Sequence, residues 1–512
     1  MWARHRLEWV TAGVAAVLGA VYLLLPPMGS DLAAQVARAE FFAAHGYTPI
    51  DLRWYAGVDQ LGYSLVSQPV MAILGVRLTG ALSLVGASVL FAVLLRATSA
   101  KRPWLGALAG TACIAGNLVS GRVTYGLGVF FGLAALVLVT RRRAWLAAVP
   151  ALLAGATSPV AGLFLGLAGV ALAVAGPLSR GLLIAVPAAL PLAALSLLFG
   201  DGGWMNISRT DTVRAVVASL AVAVFVPRRP VRVAALLSAA GVLASALIHT
   251  PVGLNATRLA VMFTLPVLAA YATWPSWRGR ERPMPLWAVA ILLVAACWWQ
   301  PPVVTGDLRD IGDPAAERSY FTPLLDRLAQ EKLTGRVEIP PTRDYWEAAH
   351  MGDVPLARGW LRQADIDRNP LFFTTIPGTT GTGAPLTAGT YRAWLDELAV
   401  QFVAVPDAEP TWSGRPEAEL IAGGLPYLSP VWSGEHWRLY AVTGPRPLVG
   451  TPATLVTQTA NTITFDAPFT GDVVLRVRFS RWLTASNGAR VDRDGDWVRV
   501  HVGTPGRYTL TS

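Results

Sequence analysis

Eight acidic residues occur in the first 300 positions, and six of them lie in stretches between apolar runs: Asp31, Glu40, Asp51, Asp59, Asp201 and Asp211. Four of the six fall within one segment, residues 28–66. A carboxylate near a basic side chain can take the proton of an attacking hydroxyl. An arginine can grip a phosphate through two parallel N–H bonds. The residues available for such chemistry are Asp31 and Asp51 as acids, Arg53 and Tyr55 beside them, and Arg122 and Arg258 at the ends of apolar runs. His249 and Asn255 stand close to Arg258 in the chain. Each has a plainer role as well. Arginines at helix ends reach lipid headgroups, Trp54 and Tyr55 can anchor an interface, and His249 and Asn255 can simply make structural hydrogen bonds.

A second polar and aromatic set comprises Arg343, Asp344, Trp346, Glu347 and His350, with Arg358, Trp360 and Arg362. Arginine and tryptophan suit phosphates and sugar faces; the same residues equally make a network that holds a fold together. Metal and nucleotide motifs are missing. The two cysteines, Cys113 and Cys297, sit in apolar runs, and no H-x-x-x-H, C-x-x-C, phosphate-binding lysine loop, G-x-S-x-G elbow or dinucleotide fingerprint occurs.

The elements that must carry these residues are mostly apolar. The 512 residues are 53% hydrophobic and 14% charged, with a mean hydropathy of +0.46, whereas soluble domains carry about 25% charged residues. That excludes an ordinary soluble enzyme and a disordered chain. Eleven segments approach the length that crosses a bilayer: roughly 8–27, 76–95, 104–120, 124–140, 144–157, 160–177, 181–199, 212–227, 231–248, 257–274 and 284–300. The one at 144–157 is short enough to be a broken or re-entrant helix. The first follows Arg4 and Arg6 but ends in Leu-Pro-Pro-Met-Gly-Ser without a small-x-small cleavage site, and reads as a retained helix.

The net charge of +10 divides unevenly. Residues 1–300 hold 22 Lys and Arg against 8 Asp and Glu, a balance of +14; residues 301–512 hold 20 against 24, a balance of −4. With the N-terminus cytoplasmic, the short inner loops take Arg96/Lys101/Arg102, Arg141/Arg142/Arg143, Arg180, Arg228/Arg229/Arg232 and Arg278/Arg280/Arg282. An odd number of spans then leaves residues 301–512 outside the cytoplasm. The positive charge thus marks topology and gives no support to a nucleic-acid partner. The acids Glu8 and Glu281 fall at the inner edge and none lies mid-helix, which counts against an ion-coupled transporter.

The first outer loop, 28–66, is too long for a plain connector. Leu32, Val36, Phe41 and Phe42 recur at helical spacing, which predicts an amphipathic helix on the outer membrane surface. Thr48 to Gly57 reads as a turn, and Gly62-Tyr63-Ser64 leads to a second surface helix. Beyond residue 300, a helical pattern at Tyr320–Leu328, strands at 337–339, 400–405 and 437–442, and a helix at 391–398 predict a small α/β domain. Period-two alternation at 462–465, 472–477 and 497–502, with 507–510 closing, predicts an antiparallel β-sandwich that either contacts glycan or caps its neighbour. The expected fold is therefore a polytopic α-helical membrane protein of about 11 transmembrane helices (1–300), an extracytoplasmic α/β domain (301–446) and a terminal β-sandwich (447–512), located in the plasma membrane.

An acid just after the first transmembrane helix, in a long loop with surface helices, resembles the GT-C superfamily of membrane glycosyltransferases, as do ten or more spans and an extracytoplasmic C-terminal region. The segments Gly335–Pro340, Thr342–Ala349, Pro355–Trp360, Tyr391–Leu395 and Val403–Asp407 are similar to actinobacterial membrane proteins of this type, and the layout also resembles membrane proteins of lipoteichoic-acid glycosylation. The resemblance implies transfer of a sugar from a polyprenyl-phosphate donor to a cell-envelope glycan, lipid or protein. It implies that Asp31 is the catalytic base or a ligand of a divalent cation (Mg or Mn), with Asp51 as a second acid. Ser30-Asp31 stands where the superfamily often has two adjacent acids. The other reading is non-catalytic: a lipid-linked-glycan flippase or transporter, or an envelope-assembly scaffold.

Overall fold

A computed structural model describes residues 5–141, 143–200, 202–275, 282–374 and 385–512. Arg4, Arg142, Asp201, Arg278, Arg280 and Glu281 lie outside the described residues. A helix stands at each of the eleven apolar segments. These are α1 (Arg6–Leu24), α4 (Val76–Ala97), α5 (Pro103–Val119), α6 (Val123–Val139), α7 (Ala148–Thr157, preceded by a 3-10 turn), α8 (Pro159–Ala175), α9 (Leu178–Leu198), α10 (Arg209–Phe225), α11 (Arg229–Leu247), α12 (Arg258–Tyr271) and α13 (Leu286–Trp299). Between the first two lie α2 (Leu32–His45), a hairpin of β1 (Ile50–Asp51) and β2 (Val58–Asp59), and α3 (Ser67–Leu74). Among the described residues five helices are long and apolar enough to cross a membrane, and five shorter apolar ones accompany them. The chain is a multi-pass membrane protein.

Small residues let these helices approach closely. A Cβ on Gly106 of α5 would stand 2.6 Å from Ala270 of α12, and one on Gly155 of α7 would stand 2.4 Å from the Ala188 carbonyl of α9. Serine caps start two helices, Ser158 on the Ala161 N–H of α8 and Ser208 on the Asp211 N–H of α10.

The two ends of the bundle differ in charge. At one end, Arg96 pairs with Glu8 at 2.7 Å. There Arg102 also donates to the carbonyl of Ala269, Arg228 to those of Thr98 and Ser99, and Arg229 to that of Val174. At the other end the first loop meets the rest of the chain. Leu65 N–H bonds the Ala156 carbonyl, Met205 bonds Thr250, and Gln363 reaches Pro251. The region after residue 300 sits at this second end, opposite the basic one.

That region begins with α14 (Thr305–Arg309) and α15 (Arg318–Leu328). Two short two-residue strands precede it, β3 (Thr273–Trp274) and β4 (Arg282–Pro283). A four-stranded sheet follows, ordered β5 (Arg336–Glu338), β6 (Val400–Pro406), β8 (Trp437–Val442), β7 (Leu428–Ser433), with β5 parallel to β6 and the others antiparallel. Helices α16 (Glu347–His350), α17 (Arg362–Arg368), α18 (Ala388–Glu397) and α19 (Arg415–Ala422) accompany it. A Thr387/Thr390 capping box starts α18. Farther on, β9 (Thr454–Gln458), β10 (Thr462–Ala467), β12 (Thr484–Ala485) and β15 (Gly506–Thr511) form one antiparallel sheet, and β11 (Gly471–Arg478), β13 (Arg490–Asp494) and β14 (Trp497–Val502) another. Alternate residues of both, such as Ile463, Phe465, Leu475, Val477, Val498, Val500 and Leu510, share one core.

Helix α2 departs from the expected open surface helix. Its Leu32, Ala33 and Ala37 are buried against a cluster that includes Trp346, Ala349 and Tyr320, so the region after residue 300 covers it. Ala33 and Ala37, which precede Phe41 at four-residue spacing on the same helical face, are small enough to admit that second neighbour, and a stripe of large apolar residues alone does not register them.

Beside the α/β sheet lies a buried charge network. The Arg358 guanidinium meets Asp365 at 2.7 Å and Glu417 at 2.9 Å, and Tyr391 donates to Glu417 at 2.8 Å. Burial and the neighbouring Glu417 charge push the Glu338 carboxyl well above its ordinary range. Burial likewise pushes Glu347 up to about 7, and burial with Asp310 alongside pushes Asp344 up to about 8. A carboxyl that keeps its proton only in the folded state stabilises below its unfolded pKa, about 4, and that stability is lost as pH rises through the folded value. The thermal midpoint of the full chain in detergent is therefore expected to fall by at least about 3 °C between pH 5.5 and pH 8.5, read by intrinsic fluorescence. Glu338→Gln, which cannot ionise, is expected to remove part of that fall; a midpoint independent of pH contradicts the raised carboxyls.

Candidate active site at the membrane edge

Asp31 is the residue before α2, and the approach of the loop to the helix bundle places it. Gly29 and Gly121 both have positive φ, +102° and +72°. A Cβ on Gly29 would lie 2.3 Å from the Val119 carbonyl oxygen, and one on Gly121 would lie 2.5 Å from the Leu32 nitrogen. Only glycine permits both conformation and contact here. The Asp31 N–H then bonds the Ser120 carbonyl at 3.1 Å. Asn117 Nδ2 bonds the Arg122 carbonyl at 3.2 Å, which fixes the start of α6.

The Asp31 carboxylate does not cap its own helix. Its Oδ2 lies 3.1 Å from Arg122 Nε and 3.3 Å from Arg258 Nη2. The Arg258 guanidinium also sits 5.5 Å over the Tyr125 ring. All three charged side chains remain about one-fifth exposed, 17%, 22% and 19%. Arg122 and Arg258 line a cavity of about 20 Å³ with Tyr125, Asn117, Ser120 and Pro302, room for about one water. Above it, Tyr63 accepts from Gln35 Nε2 at 2.8 Å, and Gln35 Oε1 accepts from the Thr124 hydroxyl at 2.6 Å. Trp360 meets the Tyr63 ring edge-on at 6.0 Å and donates its indole N–H to the Ser30 carbonyl at 3.2 Å.

The other sequence-chosen residues lie elsewhere. Asp51 has no exposure; Arg53 grips it bidentately, its Nη2 at 2.7 Å, and Gln60 Nε2 donates to it at 2.7 Å. Arg53 also donates to the Ala37 carbonyl at 3.1 Å. Asp51 and Arg53 thus lock the β1–β2 hairpin onto α2, and the structure does not bring Asp51 to Asp31. Tyr55 is buried with φ of 52°, and its hydroxyl donates to the Gly359 carbonyl. His249 stacks on Trp204 at 3.9 Å. Asn255 is buried in the 3-10 turn that precedes Arg258. Arg343 pairs with Asp310 at 2.9 Å, and Trp346 stacks on His350 at 5.0 Å. Glu347 accepts from the Thr342 hydroxyl at 2.5 Å. Arg343 also donates to the Gly306 carbonyl at 3.2 Å, beside Asp307, and Arg358 belongs to the buried network of Asp365 and Glu417. None of Arg343, Trp346, Glu347 and Arg358 makes a hydrogen bond or ion pair with Asp31 among the described residues.

Two contributors were not singled out in the sequence. Trp360 was read only as part of the distant polar set. Asp307, on α14, accepts the Ser30 N–H at 3.4 Å and the Ser120 hydroxyl, and is 4% exposed. An acid just past the last apolar run was the available signal. No group of three or more His, Cys, Asp or Glu side chains among the described residues is placed to hold a metal ion. A lone carboxylate already facing two guanidinium groups is poorly suited to a dication.

Fold and site together define a multi-pass membrane protein whose polar cleft lies where the helix bundle meets a large non-membrane region. No protein-family model matches the chain, and no curated protein matches it. Among solved structures it is similar to the arabinofuranosyltransferase AftD from Mycobacteria, with a TM-score of 0.45 at 18% identity, over 91% of this chain and 41% of that one. Two classes of a mutant of the same protein give TM-scores of 0.44 and 0.43 at 15% and 14% identity, over 99% of this chain and 60% of theirs. The chain thus spans about two to three fifths of the length of those structures.

Asp307→Asn presents an amide donor to the Ser30 N–H or the Ser120 hydroxyl. It is expected to cost about 1–3 kcal/mol, read as a lower denaturation midpoint, and to speed protease cleavage within residues 28–66. Wild-type values for both would remove Asp307 from the role of joining loop to bundle.

Proposed function

We propose that this chain is a GT-C-like membrane glycosyltransferase that transfers a sugar from a polyprenyl-phosphate donor to a cell-envelope glycan, lipid or protein. The observation that carries the reading is the Asp31 carboxylate held between Arg122 and Arg258 at the membrane edge. Base and phosphate-binding cations are thereby in contact before any substrate arrives. We place eleven spans in the membrane with the basic end cytoplasmic, and the α/β domain and terminal β-sandwich outside.

In this mechanism the donor phosphate displaces Asp31 from the two guanidinium groups and takes their N–H bonds. The freed carboxylate then accepts the acceptor hydroxyl's proton. The hydroxyl oxygen bonds to the anomeric carbon as the bond to the phosphate oxygen breaks, and the arginines stabilise the leaving phosphate. Arg122 and Arg258 fill the role that the sequence reading gave to Mg or Mn. Asp51, already neutralised by Arg53, serves to hold the hairpin.

Cells lacking the protein are expected to accumulate the lipid-linked donor, which profiling of lipid-linked sugars reveals. Wild-type protein should clear that accumulation; Asp31→Asn, expressed to the same level, should reduce clearance by at least about 100-fold, and Arg122→Ala should do likewise. Full clearance by Asp31→Asn would overturn the catalytic reading. Liposomes in which the variant still moves lipid-linked sugar across the bilayer, without transfer, would establish the flippase reading.

A further inference from the structure

A second and larger cleft opens away from Asp31, where the C-terminal end of α9 meets the β1–β2 hairpin and the sheet of β11, β13 and β14. Its volume is about 540 Å³, within the range of small-ligand sites. Arg368, Arg478, Arg481 and Arg493 line it against three aspartates, so the lining is net positive.

We propose that this cleft holds the phosphodiester headgroup of an anionic membrane phospholipid. One wall is the end of a membrane helix. Trp482 donates its indole N–H to the Leu198 carbonyl at 3.1 Å and stacks on Phe199 at 5.0 Å, as tryptophans do at a membrane interface. Arg481 donates to the Leu197 carbonyl at 3.1 Å, one of the carbonyls that a helix end leaves unpaired. That single bond leaves most of its five donors for a ligand. The Arg493 guanidinium lies 5.1 Å over the Phe479 ring and makes no hydrogen bond or ion pair among the described residues. Arg478, by contrast, is committed to Asp496 at 2.7 Å. Two guanidinium groups with unused planar donors fit one phosphodiester better than a carboxylate or a neutral headgroup. The source of that phosphate is set by the wall: Leu190 and Leu197 on α9 are 60% and 75% exposed, an apolar track along which acyl chains can run from a headgroup held in the cleft. This inference needs no transfer chemistry and stands apart from the Asp31 reading.

The test is native mass spectrometry of the full-length, delipidated protein titrated with dioleoyl phosphatidylglycerol, dioleoyl phosphatidylcholine or glycerol 1-phosphate. The first phosphatidylglycerol is expected to bind at least about tenfold more tightly than phosphatidylcholine. Arg481→Ala/Arg493→Ala should weaken it at least about fivefold, while Arg438→Ala/Arg446→Ala, which removes equal charge elsewhere, should leave it unchanged. Arg493→Ala alone, whose side chain touches only a ring, should weaken it measurably without disturbing the fold. Equal binding of the two lipids, or an unchanged first phosphatidylglycerol in both Arg493 variants, overturns the proposal. Saturable binding of glycerol 1-phosphate without lipid preference overturns the lipid in favour of a soluble phosphate ester.

Discussion

Asp307 joins three segments that are far apart in sequence. Its oxygens take the Ser30 N–H and the Ser120 hydroxyl, so one buried carboxylate fixes the first loop, the α5–α6 turn and the start of the region after the last membrane helix. A buried charge is costly to leave unmatched, and moving any of the three segments would expose or orphan it. Asp31 follows Ser30 and Arg122 follows Ser120 by two, so the partners of the proposed reaction inherit their positions from this junction. Trp360 adds a second bond from the same side, to the Ser30 carbonyl.

The chain uses its charges in three different ways. At the basic end of the bundle, arginines satisfy carbonyls that helix ends leave open. Inside the α/β region, Arg358 is surrounded by Asp365 and Glu417, with the Glu338 carboxyl beside them pushed well above its ordinary range by burial. Such a buried, mutually paired network fixes geometry. Near Asp31 the charged groups pair with one another yet stay about one-fifth open to what lies outside the protein.

Much of this layout was readable from residue patterns. The eleven apolar segments became helices because their length and lack of charge permit little else; the strands at β10, β11 and β14 followed from period-two alternation, and those at β6 and β8 from strand-forming runs set between helical patterns. Asp31, Arg122 and Arg258 could each be chosen for standing at the same side of the bundle. Their meeting could not be read, since 91 and 227 residues separate the partners. Asp51 and Arg53 read as a second acid and a phosphate-gripping arginine on a turn; what encloses them comes from Gln60, from α2 and from Leu356, whose N–H bonds the Arg53 carbonyl. The polar set around Trp346 read equally as a binding surface and as a network that holds the fold, because composition does not say which way a side chain faces.

The β1–β2 hairpin is held by partners much later in the chain. Leu52 N–H bonds the Ala460 carbonyl, Arg478 N–H bonds that of Ala56, and Ile50 N–H bonds the Ser512 hydroxyl, 462 residues on. At about 5–20 residues per second of synthesis, the hairpin waits roughly half a minute to a minute and a half before Ser512 exists. During that interval the loop carrying Asp31 lacks its outer clamp, while the membrane helices on either side of it are already made. Assembly therefore runs from the bundle outward, and a ribosome stalled before residue 460 leaves a membrane-inserted protein whose β1–β2 hairpin has none of these later partners.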